Sequence, residues 1–326
     1  MQNARFSFGL LRKFLYNSGM AQQREELNHD DSLMRLREGG LAYSIGAVLP
    51  LVLTLIFVLV AQIAAGESYQ STNWFKYFSY LLPQVGLAVT AIIWFRRTKS
   101  SPREAYRVCH PKYFALALVL SFGLFSLSWL NGYFVKLLEL MGYRPSASTL
   151  PNVTGWYLLP AILVIAVLPA IFEETLFRVI LVDGMRKRGW GSAALILISG
   201  ALFSLFHGNP EQTIYQFICG ACYALVAVRS ESPLPTVAAH FANNAVILCL
   251  ASAGYDDFPP AARLPVYIIA GVCLVGVLVY LIFFDRQNDV KGTVKDGKTF
   301  FFAAAVGIAV CAVQWLALFI GGFIGG

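Results

Sequence analysis

Glu173, Glu174 and Arg178 sit in a stretch, Leu158 to Val182, that is otherwise apolar enough to cross a membrane. Charge held in hydrocarbon costs several kcal/mol and is usually retained for a purpose. On a helix, Glu174 and Arg178 are i,i+4 and share a face, whereas Glu173 projects about 100° around. Arg178 can therefore neutralise Glu174 and leave Glu173 free. A structural ion pair that fixes helix packing would use the same residues. The case for chemistry comes from neighbouring apolar segments, which carry Phe203 and His207 at i,i+4 and, further on, His240 and Asn244 at i,i+4.

Such a set suits water attacking an amide. A glutamate desolvated beside a second glutamate becomes a base able to take a proton from water. His207 can hold that water, and His240 with Asn244 can donate hydrogen bonds to a peptide oxygen as it becomes an oxyanion. The same groups offer a metal site, since Glu173, His207 and His240 are a catalytic zinc complement with one open position. No H-E-x-x-H strengthens that alternative. A transporter or proton relay would also place a carboxylate and histidines within a membrane, but the glutamate motif has no inverted repeat.

The elements that must position these residues are membrane spans. With 57% hydrophobic and 13% charged residues and a mean hydropathy of +0.63, the chain is far from the composition of a soluble domain. A soluble protein with a large core would break its apolar runs with amphipathic periodicity, and here several runs of about 20 residues carry almost no charge. The expectation is an all-α, multi-pass transmembrane bundle of about nine spans: 41–64, 75–95, 113–133, 156–182, 191–207, 212–228, 236–253, 264–284 and 300–320. The ionisable groups concentrate in spans four to seven, which divides the chain into a cytoplasmic amino-terminal segment (1–40), accessory helices (41–154), a catalytic core (155–253) and carboxy-terminal helices (254–326).

Basic residues set the orientation, because Lys and Arg stay on the cytoplasmic side. They crowd the amino-terminal segment, the second loop (Arg96, Arg97, Lys99, Arg103, Arg107, Lys112), the fourth (Arg186, Lys187, Arg188), the sixth (Arg229) and the eighth (Arg286, Lys291, Lys295, Lys298). The amino terminus is thus expected inside and Gly325-Gly326 outside. The net charge of +7 is a signal of topology and anionic-lipid contact, not of nucleic-acid binding. Phe6 to Leu15 is too short and too interrupted by Arg12 and Lys13 for a signal peptide, and suits either a surface helix or a frayed tail. The six cysteines lie mainly within spans as small packing residues, and Cys219-x-x-Cys222 has no second pair to make a metal or redox motif.

At these residues the chain resembles the family of CAAX proteases and bacteriocin-processing enzymes, the CPBP or Abi group. Its E-E-x-x-x-R pattern matches Glu173, Glu174 and Arg178, its F-x-x-x-H matches Phe203 and His207, and its H-x-x-x-N matches His240 and Asn244, all in order. The resemblance covers about 155 to 250. It implies an intramembrane endopeptidase acting on a membrane-associated protein or peptide, with Glu173 as the catalytic glutamate and His207 its partner on the water. His240 and Asn244 would form the oxyanion side, and Glu174 with Arg178 the supporting pair. The family is often labelled metalloprotease, which implies either a divalent metal such as zinc on Glu173, His207 and His240 or no cofactor. An intact motif fits a catalytically idle immunity or scaffold protein of the family as well. A bacterial cytoplasmic membrane is the expected location, with membrane lipids and the substrate as partners.

One feature of the sequence resists this arrangement. Counted from Asp183, Glu173 is about 15 Å into the membrane; His240 is only about 8 Å in from Pro235, and His207 about 24 Å in from Gly191. For the three to meet, the hairpin at Gly208, Asn209, Pro210 and Glu211 must turn within the membrane, around a wet cavity.

Overall fold

The computed structural model describes residues 2–145 and 150–324, with side chains for all of these except 2–27 and 67. In hydrocarbon every backbone polar group has to be satisfied within its own segment, so apolar runs of this length fold as helices. The described residues contain no strand. In chain order the long helices are α1 Gln2–Ala65, α2 Asn73–Thr98, α3 Lys112–Leu140 and α4 Gly155–Lys187, α5 Ser192–His207, α6 Thr213–Ser230, α7 Leu234–Ser252, α8 Pro260–Phe284 and α9 Gly297–Ile324. All nine expected spans are helical. Eight regions are long and apolar enough to cross a membrane, and α5, at 16 residues, is the shorter exception. The surface-helix reading of Phe6 to Leu15 and the placement of Gly325-Gly326 fall outside the described side chains or residues.

The outer surface is that of a membrane protein. Large apolar side chains point outward along the helices, with Ile63 86% and Phe302 87% exposed. So extended an apolar face would be an aggregation site in water and is what lipid covers. Inside, α1 and α9 pack closely, as Ser44 Oγ donates to the Ala303 carbonyl at 2.8 Å and accepts from the Gly307 amide at 3.1 Å. Tyr43 on α1 donates to the Leu202 carbonyl of α5 at 3.1 Å, which holds the histidine-bearing helix against the first span.

The helix that carries the glutamates is irregular. Within α4, α-helical Leu158–Ala161, Leu168–Glu174 and Asp183–Lys187 alternate with π-helical Ile162–Val167 and Thr175–Val182. π-turns inside α-helices mark functional positions with unusual frequency. The hairpin of α5 and α6 is tight for two reasons. Gly208 ends α5 in the left-handed region (φ 59°), and Asn209 caps the next turn by accepting from the Glu211 amide at 2.9 Å. Further along, Gly220 lets α6 approach α5: a Cβ there would lie 2.8 Å from the Cβ of Phe203.

Two outcomes follow from this packing. Gly220→Val has no room to grow without moving Phe203, and overpacking of this kind costs about 1 to 3 kcal/mol; thermal unfolding in detergent should fall accordingly, and an unchanged melting temperature would contradict the close approach. Ser101 and Pro233 line one cavity, while Gly254 lies beyond the far end of the 19-residue α7, about 28 Å away. Cysteines introduced at 101 and 254 in a background without native cysteines should therefore be labelled from opposite sides of the membrane, and labelling from one side would remove a middle span.

Candidate active site

The Glu174–Arg178 pair is the fixed point. Arg178 Nε lies 3.0 Å from Glu174 Oε2, and both side chains are wholly buried. The guanidinium also donates through Nη1 to Ser199 Oγ at 3.1 Å. It lies against the rings of Phe203 (5.3 Å), Phe177 (5.7 Å) and Tyr223 (6.0 Å). Aromatic faces stabilise a desolvated cation that a plain apolar pocket would not.

From this pair the protonation pattern of both histidines can be derived. His240 donates Nδ1–H to Glu174 Oε1 at 3.0 Å, with the Tyr223 ring stacked on it at 5.9 Å. His207 Nδ1 lies 2.8 Å from the Phe203 carbonyl, which can only accept, so this nitrogen too carries the hydrogen. In the neutral rings both Nε2 atoms are then acceptors. They face the same oxygen: Glu173 Oε2 is 3.7 Å from His207 Nε2 and 3.9 Å from His240 Nε2. That oxygen is buried and has no hydrogen-bond partner among the described residues. Three acceptors therefore surround one point with no donor among them, which suits a water molecule offering two hydrogens. Of the two partners His207 is the more exposed, its side chain 24% exposed against 11% for Glu173.

A metal is chemically conceivable with this donor set, but the spacing does not fit. Tetrahedral zinc with bonds of 2.0 to 2.1 Å places neighbouring donors about 3.4 Å apart, and the two measured separations are wider. No group of three His, Cys, Asp or Glu among the described residues is placed to hold a metal ion.

Asn244 is engaged elsewhere. Its Nδ2 donates to the Ile165 carbonyl at 3.1 Å, about two helical turns upstream of Glu173, so the described contacts bring three of the four expected catalytic residues to one point and give the fourth a separate task. Tyr106, Thr175, Ser199 and Tyr223 stand around the site without having been expected there. The Tyr106 hydroxyl reaches Thr175 from the loop after α2. Nothing in their spacing along the sequence marks them.

The conflict of depths between Glu173 and His207 disappears because the glutamate helix does not end at Asp183. It continues to Lys187, which puts Glu173 about 21 Å from its end, against about 22 Å for His207 counted from Ser192. His240 remains only about 9 Å in from Leu234, yet its Nε2 comes within 3.9 Å of Glu173; the lower climb per residue of the π-helical Thr175–Val182 accounts for a part of that difference. With a length of about 24 Å, α5 is shorter than the roughly 30 Å hydrocarbon core. The Gly208 turn is enclosed by protein: Ser204 Oγ donates to the Thr213 carbonyl at 2.7 Å, and Trp315 Nε1 to Thr213 Oγ1 at 2.8 Å.

Removing Arg178 leaves Glu174 as an unpaired buried charge. Breaking such a pair from one side costs about 3 to 5 kcal/mol. Arg178→Ala should lower the melting temperature in detergent strongly, whereas Glu173→Gln, which alters no ion pair of that kind, should melt near wild type. Equal melting of the two variants would contradict the division of roles.

No curated protein and no solved structure matches the chain. Residues 155–246 match the family described as Type II CAAX prenyl endopeptidase Rce1-like; the match spans Glu173, Glu174, Arg178, His207, His240 and Asn244 and bears out the resemblance to the CAAX proteases.

Proposed function

We propose that the chain is an endopeptidase that hydrolyses a peptide bond of a membrane-associated protein or peptide with water activated by Glu173. The observation that carries this reading is the meeting of three acceptors, Glu173 Oε2 and the Nε2 atoms of His207 and His240, around one point. A water there gives one hydrogen to Glu173 and the other to His207. As its oxygen bonds to the substrate carbonyl carbon, Glu173 takes the proton and the carbonyl electron pair moves onto oxygen. When the carbon–nitrogen bond breaks, the protonated Glu173 returns its proton to the leaving amine.

The role of Glu174 is to stay ionised and to hold His240. Because Arg178 balances its charge and Ser199 fixes the guanidinium, Glu174 is not available as the base, and Glu173 is. When the proton taken by Glu173 passes on to His240 Nε2, 3.9 Å from Glu173 Oε2, that ring becomes a donor to the oxyanion, with Glu174 behind it to stabilise the imidazolium, and it returns the same proton through Glu173 to the leaving amine.

Access from the cytoplasmic side is supported by a cavity of about 320 Å³ at the end of the bundle that bears the basic loops, lined in part by Glu104, Arg107, Asp183, Lys187 and Glu231. It reaches Arg178 and Val179 and stops one turn short of Glu174. By the distribution of Lys and Arg, this end is cytoplasmic and the amino terminus with it.

Purified protein in detergent, incubated with membrane-tethered reporter peptides, should cleave at least one, and Glu173→Gln of unchanged melting temperature should cleave none. Cleavage that survives Glu173→Gln would overturn the assignment.

A further inference from the structure

A second cavity, of about 240 Å³, lies between α1 and the last turns of α2. Its lining runs from Glu38 to Ile45 on the first helix and from Arg97 back to Thr90 on the second, about 10 Å along each. The end marked by Glu38 and Arg97 is the one that the distribution of Lys and Arg makes cytoplasmic. The cavity therefore begins at the level of the lipid headgroups and continues into the acyl region, between Leu41, Ile45 and Ile93, which are half-buried. Two of its features are not accounted for by packing. At the headgroup end the buried Glu38 carboxylate accepts from Nε and Nη2 of Arg97 and from Nη2 of Arg37, the last at 3.2 Å. One carboxylate faces two guanidinium groups, which leaves a positive charge in excess and Arg97 Nη1 for a further acceptor. One turn deeper, Trp94 is 3% exposed and its Nε1–H has no acceptor among the described residues, although a buried indole N–H usually finds one.

We infer that this cavity seats one anionic glycerophospholipid of the cytoplasmic leaflet. Its phosphate lies on Arg97 and Arg37, an ester carbonyl accepts from Trp94 Nε1–H, and the start of one chain runs along Leu41, Ile45 and Ile93. The order of groups in such a molecule, charge, then acceptor, then hydrocarbon, is the order of groups along the cavity. Net negative charge in the headgroup is required because a zwitterionic lipid carries its own cation to a place already in positive excess. A free anion would meet the arginines and leave the indole and the apolar walls unused. Trp94 also lines the larger cytoplasmic cavity that reaches Arg178, so a lipid seated here backs a wall of that cavity. The site is separate from Glu173, and the inference does not depend on the peptidase reading.

The test reads the melting temperature of the delipidated full-length protein in detergent, with phosphatidylglycerol, phosphatidylcholine of the same chains, or inorganic phosphate added. Phosphatidylglycerol should raise it by several degrees, phosphatidylcholine by less than half as much, and phosphate not at all. Two variants leave the arginines and Glu38 in place. Trp94→Phe keeps an aromatic ring and removes the N–H, and Ile45→Trp fills part of the cavity. In each, the advantage of phosphatidylglycerol over phosphatidylcholine should fall to less than half of its wild-type value. Equal shifts from the two lipids would mean a general lipid effect and overturn the inference, as would a shift reproduced by phosphate alone. An advantage that survives either substitution would overturn it too, since in Trp94→Phe it would mean that the indole serves the neighbouring cavity instead. Should Trp94→Phe fail to fold, Ile45→Trp decides alone.

Discussion

The arrangement depends on a buried ion pair that is kept at full charge. Glu174 and Arg178 are buried side by side, a condition that is costly unless the charges are engaged, and Glu174 Oε2 with Arg178 Nε and Nη2 has no hydrogen bond beyond the ion pair itself among the described residues. Arg178 is met by Glu174, by the Ser199 hydroxyl and by three aromatic rings. Glu174 is met by Arg178 and by His240 Nδ1–H. From this lock the tautomer of His240 follows, and from the tautomer the acceptor character of the nitrogen that faces Glu173. Two adjacent residues of the same type thus end in different states because a helix turns by about 100° between them.

The membrane shapes the site through what it forbids. Backbone groups cannot be left bare in hydrocarbon, so each irregularity near the site has a specific remedy. The turn after His207 is covered by Trp315 and Ser204. The π-helical stretch upstream of the glutamates is met by Asn244, which donates to the Ile165 carbonyl. Trp315 and Asn244 come from helices distant in sequence, and they tie α9 to the start of α6 and α7 to α4.

The nine helices, eight of them long and apolar enough to cross a membrane, and the split of Glu173 from Glu174 were legible in the sequence because both depend on period and composition. His207 was harder to place, since the charges Asp183, Arg186 and Lys187 look like loop while the helix runs on to Lys187. Tyr106, Ser199 and Tyr223 left no mark at all, because their roles depend on which faces of separate helices meet. Asn244 was visible as a residue, but nothing in a one-dimensional reading connects its amide to the Ile165 carbonyl.

The claim at the centre is that Glu173 draws the proton from an attacking water while Glu174 is held out of reach by Arg178. Cleavage of a membrane-tethered peptide in heavy-oxygen water, with both fragments weighed by mass spectrometry, addresses it most directly. The account predicts that the wild type places one heavy oxygen at the new carboxyl terminus and that folded Glu173→Gln yields no fragments. Fragments from Glu173→Gln carrying the same label would contradict it.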